Sequence, residues 1–274
     1  MTSIPLLIET DELQVLLDDP KVLIIDTSST ANHLEAHIPG AVHIPPAALQ
    51  CGIKPATGKI PSVERLSERF STIGLQNHHH VVAYDDEGGG WAGRLCWTLE
   101  AMGHHQYSLL NGGRVAWINE ARAVSSDVEN LTPSQYALSE LNTTPIAEID
   151  DILPHIGEAN FGIWDARSAE EHSGSKVLAA RGGHIPAAAH LNWTDLMDRS
   201  NHLRLLPLEA IQTMLDDRGL SKDKSIVTHC QSHHRSGLTW FVGKLLGYNI
   251  KAYHGSWGEW GNNPALPVET DFTE

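Results

Sequence analysis

The sequence contains no uninterrupted apolar run that approaches the roughly 18 residues of a membrane-spanning helix, so we expect no such helix and no membrane partner. Its N-terminus has neither a basic start nor a long apolar stretch, which argues against a signal peptide. Positive charge is also scarce, since 19 Lys and Arg residues face 34 Asp and Glu residues. Because nucleic-acid binding depends on neutralisation of phosphates by Lys and Arg, we expect no nucleic-acid partner.

Cysteine is scarce as well, with only Cys51, Cys96 and Cys230 in 274 residues. An odd number of widely spaced cysteines does not predict a disulfide framework. The chain is nevertheless long enough to bury a sizeable core, and at about 150 residues per domain it predicts two domains. We therefore expect a soluble, cytoplasmic, two-domain protein.

Several motifs recur in the second half of the chain, in the same order and at offsets of 139 to 147 residues. They are the apolar runs ending at Asp26 and Asp165, His37–Ala41 and His184–Ala188, the apolar runs ending near Asp85 and Cys230, and the pairs Gly112, Trp117 and Gly255, Trp260. This period is too long for a solenoid and indicates two homologous domains. We predict domains over residues 1–124 and 144–274, joined by a polar linker at 125–143.

Within each half, short apolar runs alternate with apolar stripes at helical spacing. The clearest examples are Val63–Ile73, Pro207–Leu215, Val81–Tyr84 and Ser225–Thr228. This alternation predicts an α/β fold with a mostly parallel sheet flanked by helices in each half. Ligands of such sheets bind beyond the carboxyl ends of the strands, which directs attention to Asp85 and Cys230.

Cys230 lies between a predicted strand and a predicted helix. A cysteine just before a helix faces unpaired N–H groups and the positive end of the helix dipole, and both favour the thiolate. Basic neighbours favour it further: Arg235, His229, His233 and His234. Successive N–H groups in such a loop also form an anion nest. The segment therefore predicts a nucleophilic cysteine that carries a covalent intermediate rather than an inert buried thiol.

The other two cysteines have different surroundings. Cys96 lies in an apolar helical run, which predicts a core position, and Cys51 lies in a loop with Gly and Pro. We assign neither of them a chemical role. The histidines beside Cys230 offer soft metal ligands, but no second pair with metal-ligand spacing accompanies them, so we expect no metal site.

Taken together, the motifs resemble those of two-domain rhodaneses, and the loop is most similar to that of bacterial members. The motifs are Asp165–Arg167, Gly183–Ala187, Cys230–Arg235 and Gly255–Trp260 in the second half, and Asp26, His37–Ala41 and Asn111–Gly113 in the first. In this family the N-terminal domain is an inactive copy with Asp at the cysteine position, and Asp85 fits that pattern.

The resemblance implies a thiosulfate sulfurtransferase that works by double displacement, as a monomer and without a cofactor. Cys230 would take the sulfane sulfur of thiosulfate as a persulfide and pass it to cyanide or another small thiophilic acceptor. The residues that would bind the substrate or the persulfide are Gln231, Ser232, His233, His234 and Arg235. Trp193 would border the pocket or, equally, pack at a domain interface, whereas Asp165 and Arg167 would form a structural ion pair.

Two departures from the family pattern leave the donor open. The loop resembles neither the vertebrate thiosulfate enzymes nor the mercaptopyruvate enzymes, and Glu171 occupies a position where several members have Arg. An acid there would not hold an anionic donor, and Arg235 could either bind the donor or support the loop. Mercaptopyruvate or another persulfide donor is therefore an alternative to thiosulfate.

Two further alternatives belong to different classes of protein. A cysteine-dependent phosphatase would need Cys-x5-Arg, and the segment from Cys230 to Arg235 is one residue short of that spacing. A non-catalytic sulfur-carrier or binding module would use the fold only as a scaffold. The retention of Cys230 argues against it, because an inactive copy would resemble the half that contains Asp85.

Overall fold

The computed structural model describes residues 4–128 and 131–271. The described residues of the first half include five strands and five α-helices. The strands are β1 (Leu7–Ile8), β2 (Val22–Asp26), β3 (Val42–His43), β4 (His80–Tyr84) and β5 (Tyr107–Leu110). The helices are α1 (Thr10–Gln14), α2 (Thr30–Glu35), α3 (Val63–Thr72), α4 (Gly90–Ala101) and α5 (Gly113–Asn119).

The second half repeats this order and adds a short hairpin. Its strands are β6 (Ile146–Ala147), β7 (Phe161–Asp165), β8 (Ala188–His190), β9 (Met197–Asp198), β10 (Arg204–Leu205), β11 (Ser225–His229) and β12 (Asn249–Tyr253). Its helices are α6 (Ile149–Ile152), α7 (Ala169–Ser173), α8 (Leu208–Asp216), α9 (Arg235–Leu245) and α10 (Ser256–Trp260). No helix in the described ranges is both long and apolar enough to cross a membrane.

Each half builds one five-stranded sheet in which all neighbouring strands are parallel. The strand orders are β1-β5-β4-β2-β3 and β6-β12-β11-β7-β8, so corresponding strands occupy corresponding places. The hairpin of β9 and β10 is antiparallel and separate from both sheets. These sheets confirm the α/β fold with two homologous domains that the repeat predicts.

Local sequence explains the predicted elements. The Ser62 hydroxyl caps α3 by accepting from the Arg65 N–H, and Leu66 and Phe70 bury the apolar face of this helix. The central strands β4 and β11 are almost wholly buried, as both-sided coverage of a parallel sheet requires.

The chain divides into two compact units, each of which includes a segment from the other half of the sequence. The first consists of Met1–Leu49, Pro61–Asn142 and Met197–Leu205, and the second of Gln50–Ile60, Thr143–Leu196 and Leu206–Glu274. Each unit has its own apolar core, built around residues such as Tyr84 and Trp117 in the first and Tyr253 and Trp260 in the second. The domain boundaries proposed at 1–124, 125–143 and 144–274 stay a prediction.

Candidate functional site

Cys230 follows the last residue of β11 at the carboxyl end of the second sheet, and only 1% of its surface is exposed. The helix α9 begins five residues later at Arg235, and its side chains from Leu238 to Val242 are buried. Burial of this apolar stretch places the N-terminus of α9 beside the loop. The predicted strand, loop and helix around Cys230 are thus present as the sequence indicates.

The loop between β11 and α9 is fixed by its backbone. His233 has a left-handed φ of 51°, which turns the chain between Cys230 and the helix. The Ser256 hydroxyl accepts from the N–H groups of Cys230 at 3.4 Å and of His233 at 3.0 Å. The N–H of Trp257 in turn donates to the Cys230 carbonyl at 2.9 Å. The start of α10 therefore holds both ends of this turn.

The Cys230 thiol lies in an environment that favours its ionised form. Burial by itself raises the pKa of the thiol, but the charge of Arg235 and hydrogen bonds from Ser236 outweigh burial and lower this pKa to about 7. The Ser236 hydroxyl donates to Sγ at 3.5 Å, and His234 contributes a further favourable charge. A substantial fraction of the sulfur is therefore thiolate near neutral pH.

The sequence reasoning did not identify Ser236. A signal was available, because this residue stands in the first turn of the predicted helix, where side chains tilt toward the N-terminus and hence toward the loop. Its hydroxyl also lies 2.8 Å from Nδ1 of His233, which links the loop to the helix.

Arg235 forms a bidentate ion pair with Glu171, a residue in the first turn of α7. Nη1 donates to Oε2 at 2.6 Å and Nη2 donates to Oε1 at 2.8 Å. Glu171 is positioned by a capping box with Ser168 at the N-terminus of α7. Glu171, an acid that the sequence predicts to be unfavourable for binding an anionic donor, is thus the ion-pair partner of Arg235.

A second buried ion pair lies beside this one. Arg167 donates through Nε and Nη2 to the carboxylate of Asp165, at distances of 2.6 to 3.1 Å, and its guanidinium lies 4.4 Å from the ring centre of Trp257. Both side chains are almost completely buried. The ion pair that the sequence predicts between Asp165 and Arg167 is therefore present.

The remaining predicted site residues lie on or against the loop. The Gln231 side chain donates to the Leu178 carbonyl, and the Ser232 carbonyl accepts from the side chain of Gln50 at 2.8 Å. The half-buried Trp193 ring packs against the His234 ring, with 5.7 Å between their centroids. The seven residues proposed for the site are therefore brought together: Trp193, Cys230, Gln231, Ser232, His233, His234 and Arg235.

The corresponding loop of the first sheet is occupied by a side chain of the protein itself. Asp85 follows β4, and its Oδ1 accepts from the N–H groups of Glu87, Gly88 and Gly89 at 2.8 to 3.1 Å, while its Oδ2 accepts from Ala92 at 3.0 Å. A carboxylate thus fills the anion nest at the start of α4. This loop has the same architecture as the one at Cys230 but presents no nucleophilic sulfur.

Neither of the other cysteines lies in comparable surroundings. Cys96 is completely buried in α4, as predicted, and Cys51 is a half-buried loop residue whose Sγ lies 3.4 Å from the Ala56 carbonyl oxygen. None of the three cysteines forms a disulfide bond.

Comparison with known proteins identifies relatives over nearly the full chain. The model of the rhodanese-like domain matches residues 9–120 and again 148–263. A thiosulfate sulfurtransferase of Azotobacter vinelandii is 47% identical over 97% of this chain and 98% of its own length. A thiosulfate sulfurtransferase of Pseudomonas aeruginosa is 43% identical over 98% of both chains.

Weaker similarity is found to a protein and to a solved structure that carry other names. The sulfur carrier protein TtuD of Thermus thermophilus is 32% identical over 96% of this chain and 95% of its own. The crystal structure of an anaerobic ergothioneine biosynthesis enzyme from Chlorobium limicola superposes with a TM-score of 0.87, at 21% identity, over 98% of this chain and 71% of that one. At that identity the structural match concerns the fold alone.

Proposed function

The chain belongs to the rhodanese family, and we propose that it is a thiosulfate sulfurtransferase in which Cys230 carries the transferred sulfur. The observation that supports this assignment most directly is the buried Cys230 thiol in the loop before α9, with a pKa lowered to about 7 by Arg235 and Ser236 against the effect of burial. Such a thiol is a competent nucleophile at neutral pH. The full-length similarity to two thiosulfate sulfurtransferases supports the choice of donor.

The reaction consists of two displacements on sulfur. The Cys230 thiolate attacks the outer sulfur of thiosulfate, a new S–S bond forms, and the S–S bond of thiosulfate breaks as sulfite leaves with the electron pair. A thiophilic acceptor, cyanide in an assay, then attacks the outer sulfur of the persulfide. The thiolate of Cys230 leaves and is ready for the next cycle.

The residues of the loop stabilise the negative charge of the thiolate and of the persulfide in different ways. We assign the backbone N–H groups of Gln231, Ser232, His234 and Arg235 to stabilisation of the persulfide anion, since the dipole of α9 and the turn at His233 favour an anion there, whereas the His233 N–H donates to Ser256. Both terminal nitrogens of Arg235 are engaged by Glu171, so this arginine acts on the thiolate through its charge and supports the loop rather than gripping the donor. Trp193 forms an apolar border through its contact with His234.

The intact mass of the protein tests the proposal. After incubation with thiosulfate we expect a gain of one sulfur atom, which cyanide removes with formation of thiocyanate. Cys230→Ala abolishes the gain, whereas Cys51→Ala and Cys96→Ala serve as matched thiol controls and retain it. Absence of the gain from the wild-type protein, or its persistence in Cys230→Ala, refutes the persulfide relay.

We further propose that the protein acts as a cytoplasmic monomer on small molecules and binds no nucleic acid. Three cysteines without a disulfide suit a reducing compartment, and the net charge of −15 opposes contact with a polyanion. Light scattering across a concentration series tests the oligomeric state, and a mass of twice 30.0 kDa would contradict this proposal.

A further inference from the structure

The first three residues of the Cys230 loop each turn their carbonyl oxygen to a hydrogen-bond donor outside the loop. Backbone N–H groups of α10 donate to the carbonyls of Cys230 and Gln231, both at 2.9 Å. The third carbonyl, that of Ser232, accepts from the side-chain Nε2 of Gln50 at 2.8 Å. Two of the three donors thus belong to the backbone of α10, whereas the third is a side chain from the first half of the sequence, to which the proposed sulfur transfer assigns no role.

The peptide group that joins Ser232 to His233 is held at both ends. Its carbonyl oxygen accepts from Gln50, and its N–H donates to the Ser256 hydroxyl at 3.0 Å. His233 has a left-handed φ of 51°, a conformation that residues other than glycine rarely adopt and that persists where surrounding contacts hold it. A rotation of this peptide would move the oxygen away from Gln50 and change the direction of the neighbouring N–H groups, which the proposed function assigns to the anion.

The corresponding position of the first unit provides a thioether instead of an amide. Met197 stands 147 residues after Gln50, which is the offset of the repeated His-Ile-Pro motif, and both residues directly follow a 3-10 helix. The Met197 sulfur packs so closely on the first loop that it leaves no room for a Cβ at Gly88. This side chain cannot donate a hydrogen bond. The amide therefore accompanies the loop that carries the nucleophile, and the thioether accompanies the loop whose anion nest is filled by Asp85.

We propose that Gln50 is a positioning residue for sulfur transfer at Cys230, whose side-chain amide holds the Ser232–His233 peptide so that the loop N–H groups stay directed at the sulfur. This inference rests on the proposed function, because the anion in question is the thiolate or the persulfide of Cys230. N–H dipoles stabilise a developing charge most when their direction is fixed before the charge appears. Loss of the amide should therefore disfavour the thiolate and slow its attack on the donor.

The experiment compares Gln50→Met, which introduces the thioether found in the first unit, with the matched control Gln212→Met. Gln212 is a suitable control because its Nε2 donates to Asp216 and to Tyr248 in another part of the unit. Exchange of the His233 amide hydrogen is measured by NMR on the isotope-labelled full chain. The exchange should accelerate roughly fivefold in Gln50→Met, as the loss of one hydrogen bond in the loop predicts, and should be unchanged in Gln212→Met.

Two further measurements connect the position of the peptide to the sulfur. The pKa of the Cys230 thiol, followed by thiolate absorbance, should rise in Gln50→Met from about 7 toward its ordinary value near 9. The kcat/KM for thiosulfate should fall at least about tenfold, since small displacements at reacting groups cost up to roughly 100-fold in rate. Neither quantity should change in Gln212→Met.

Gln50 is half-buried, and urea denaturation establishes whether the variants are folded. If Gln50→Met is not folded, Gln50→Ala takes its place with the same expectations. An unchanged exchange rate at His233, or an unchanged thiol pKa, in a folded Gln50 variant overturns the proposal. Equal changes in Gln50→Met and Gln212→Met also overturn it, because the cause is then general destabilisation.

The failure of this inference can be distinguished from the failure of the proposed function. Amide exchange and the thiol pKa do not depend on sulfur transfer, so both still test the position of the peptide in a protein that gains no sulfur from thiosulfate. Absence of that gain from the wild-type protein refutes the persulfide relay, whereas a normal gain with the same exchange rate and thiol pKa in Gln50→Met refutes the role of Gln50 alone.

Discussion

The carboxylate of Glu171 and the guanidinium of Arg235 form two parallel hydrogen bonds of 2.6 and 2.8 Å, with 3% and 18% of the respective side chains exposed. Burial disfavours ionisation of Glu171, but the hydrogen bonds and charge of Arg235 lower its pKa nonetheless. The pair connects the start of α7 to the start of α9. Arg235 is therefore already neutralised in part, and we expect an incoming anion to depend on the backbone of the loop for much of its stabilisation.

We expect removal of either charge alone to lower the free energy of unfolding more than removal of both charges together. Glu171→Gln and Arg235→Gln should each lower the free energy of unfolding by about 3 kcal/mol, because each leaves a buried charge without its partner. The double variant should recover most of that loss. Urea denaturation of the four proteins measures the coupling, and additive losses in the double variant would contradict a paired role.

The same variants separate the structural role of Arg235 from its effect on Cys230. We expect Arg235→Gln to raise the pKa of the Cys230 thiol from about 7 toward its ordinary value near 9, because the largest favourable charge is removed. The double variant with Glu171→Gln should keep this raised pKa even though its stability returns. Thiolate absorbance followed against pH gives the value, and a return to about 7 in the double variant would show that Arg235 is not the cause.

The rate of sulfur uptake should follow ionisation of Cys230. Because the thiolate is the attacking species, kcat/KM for thiosulfate should rise as the pH increases through about 7 and level off above it. Ser236→Ala removes the hydroxyl that donates to Sγ at 3.5 Å and should move this inflection to higher pH. Ser62→Ala, which removes the cap of α3 and has no bond to the sulfur, to Arg235 or to Glu171, is the control and should leave the inflection in place.

Much of the fold and part of the site could be predicted from local patterns. The apolar runs at β4 and β11 and the Ser62 cap of α3 are properties of a few adjacent residues, and the internal repeat places Asp85 opposite Cys230 in the alignment of the two halves. The strand, loop and helix at Cys230 can be predicted from adjacent residues in the same way. These features therefore needed no knowledge of tertiary contacts.

What could not be predicted depends on contacts between residues far apart in the chain. Glu171 lies 64 residues from Arg235, and Gln50, whose side chain binds the Ser232 carbonyl, lies 182 residues from it. Neither contact has a periodicity or a spacing that a sequence pattern could reveal. The pairing of Glu171 with Arg235 is accordingly the main point at which an expectation based on charge alone, that this acid works against the site, was incomplete.

We expect a thiol introduced at Asp85 to be inactive. At the offset of 145 that relates Asp85 to Cys230, Gly90 and Trp91 stand where the second loop has Arg235 and Ser236. The introduced cysteine would therefore lack both the charge and the hydroxyl that lower the thiol pKa. Sulfurtransferase activity of Asp85→Cys combined with Cys230→Ala should equal that of Cys230→Ala alone, and a clear gain over that control would contradict this expectation.

Gly58 lies in the Gln50–Ile60 segment of the second unit. A Cβ at this position would lie 2.2 Å from the Ser232 carbonyl oxygen and 2.4 Å from its carbon, so the Cys230 loop must shift to accommodate Gly58→Ala. A shift of about 1 Å at reacting groups costs up to roughly 100-fold in rate, and we expect kcat/KM for thiosulfate to fall by about 10- to 100-fold.

The matched control is Gly162→Ala, whose Cβ would meet side-chain atoms of Ile226 and Leu220 near the opposite ends of the strands. This variant should lose stability while kcat/KM stays within about twofold of the wild type, since the disturbance is remote from the loop. Activity and urea denaturation are measured on the same preparations. Equal losses of kcat/KM in both variants would indicate general destabilisation, whereas a fall confined to Gly58→Ala would establish that this glycine sets the position of the loop.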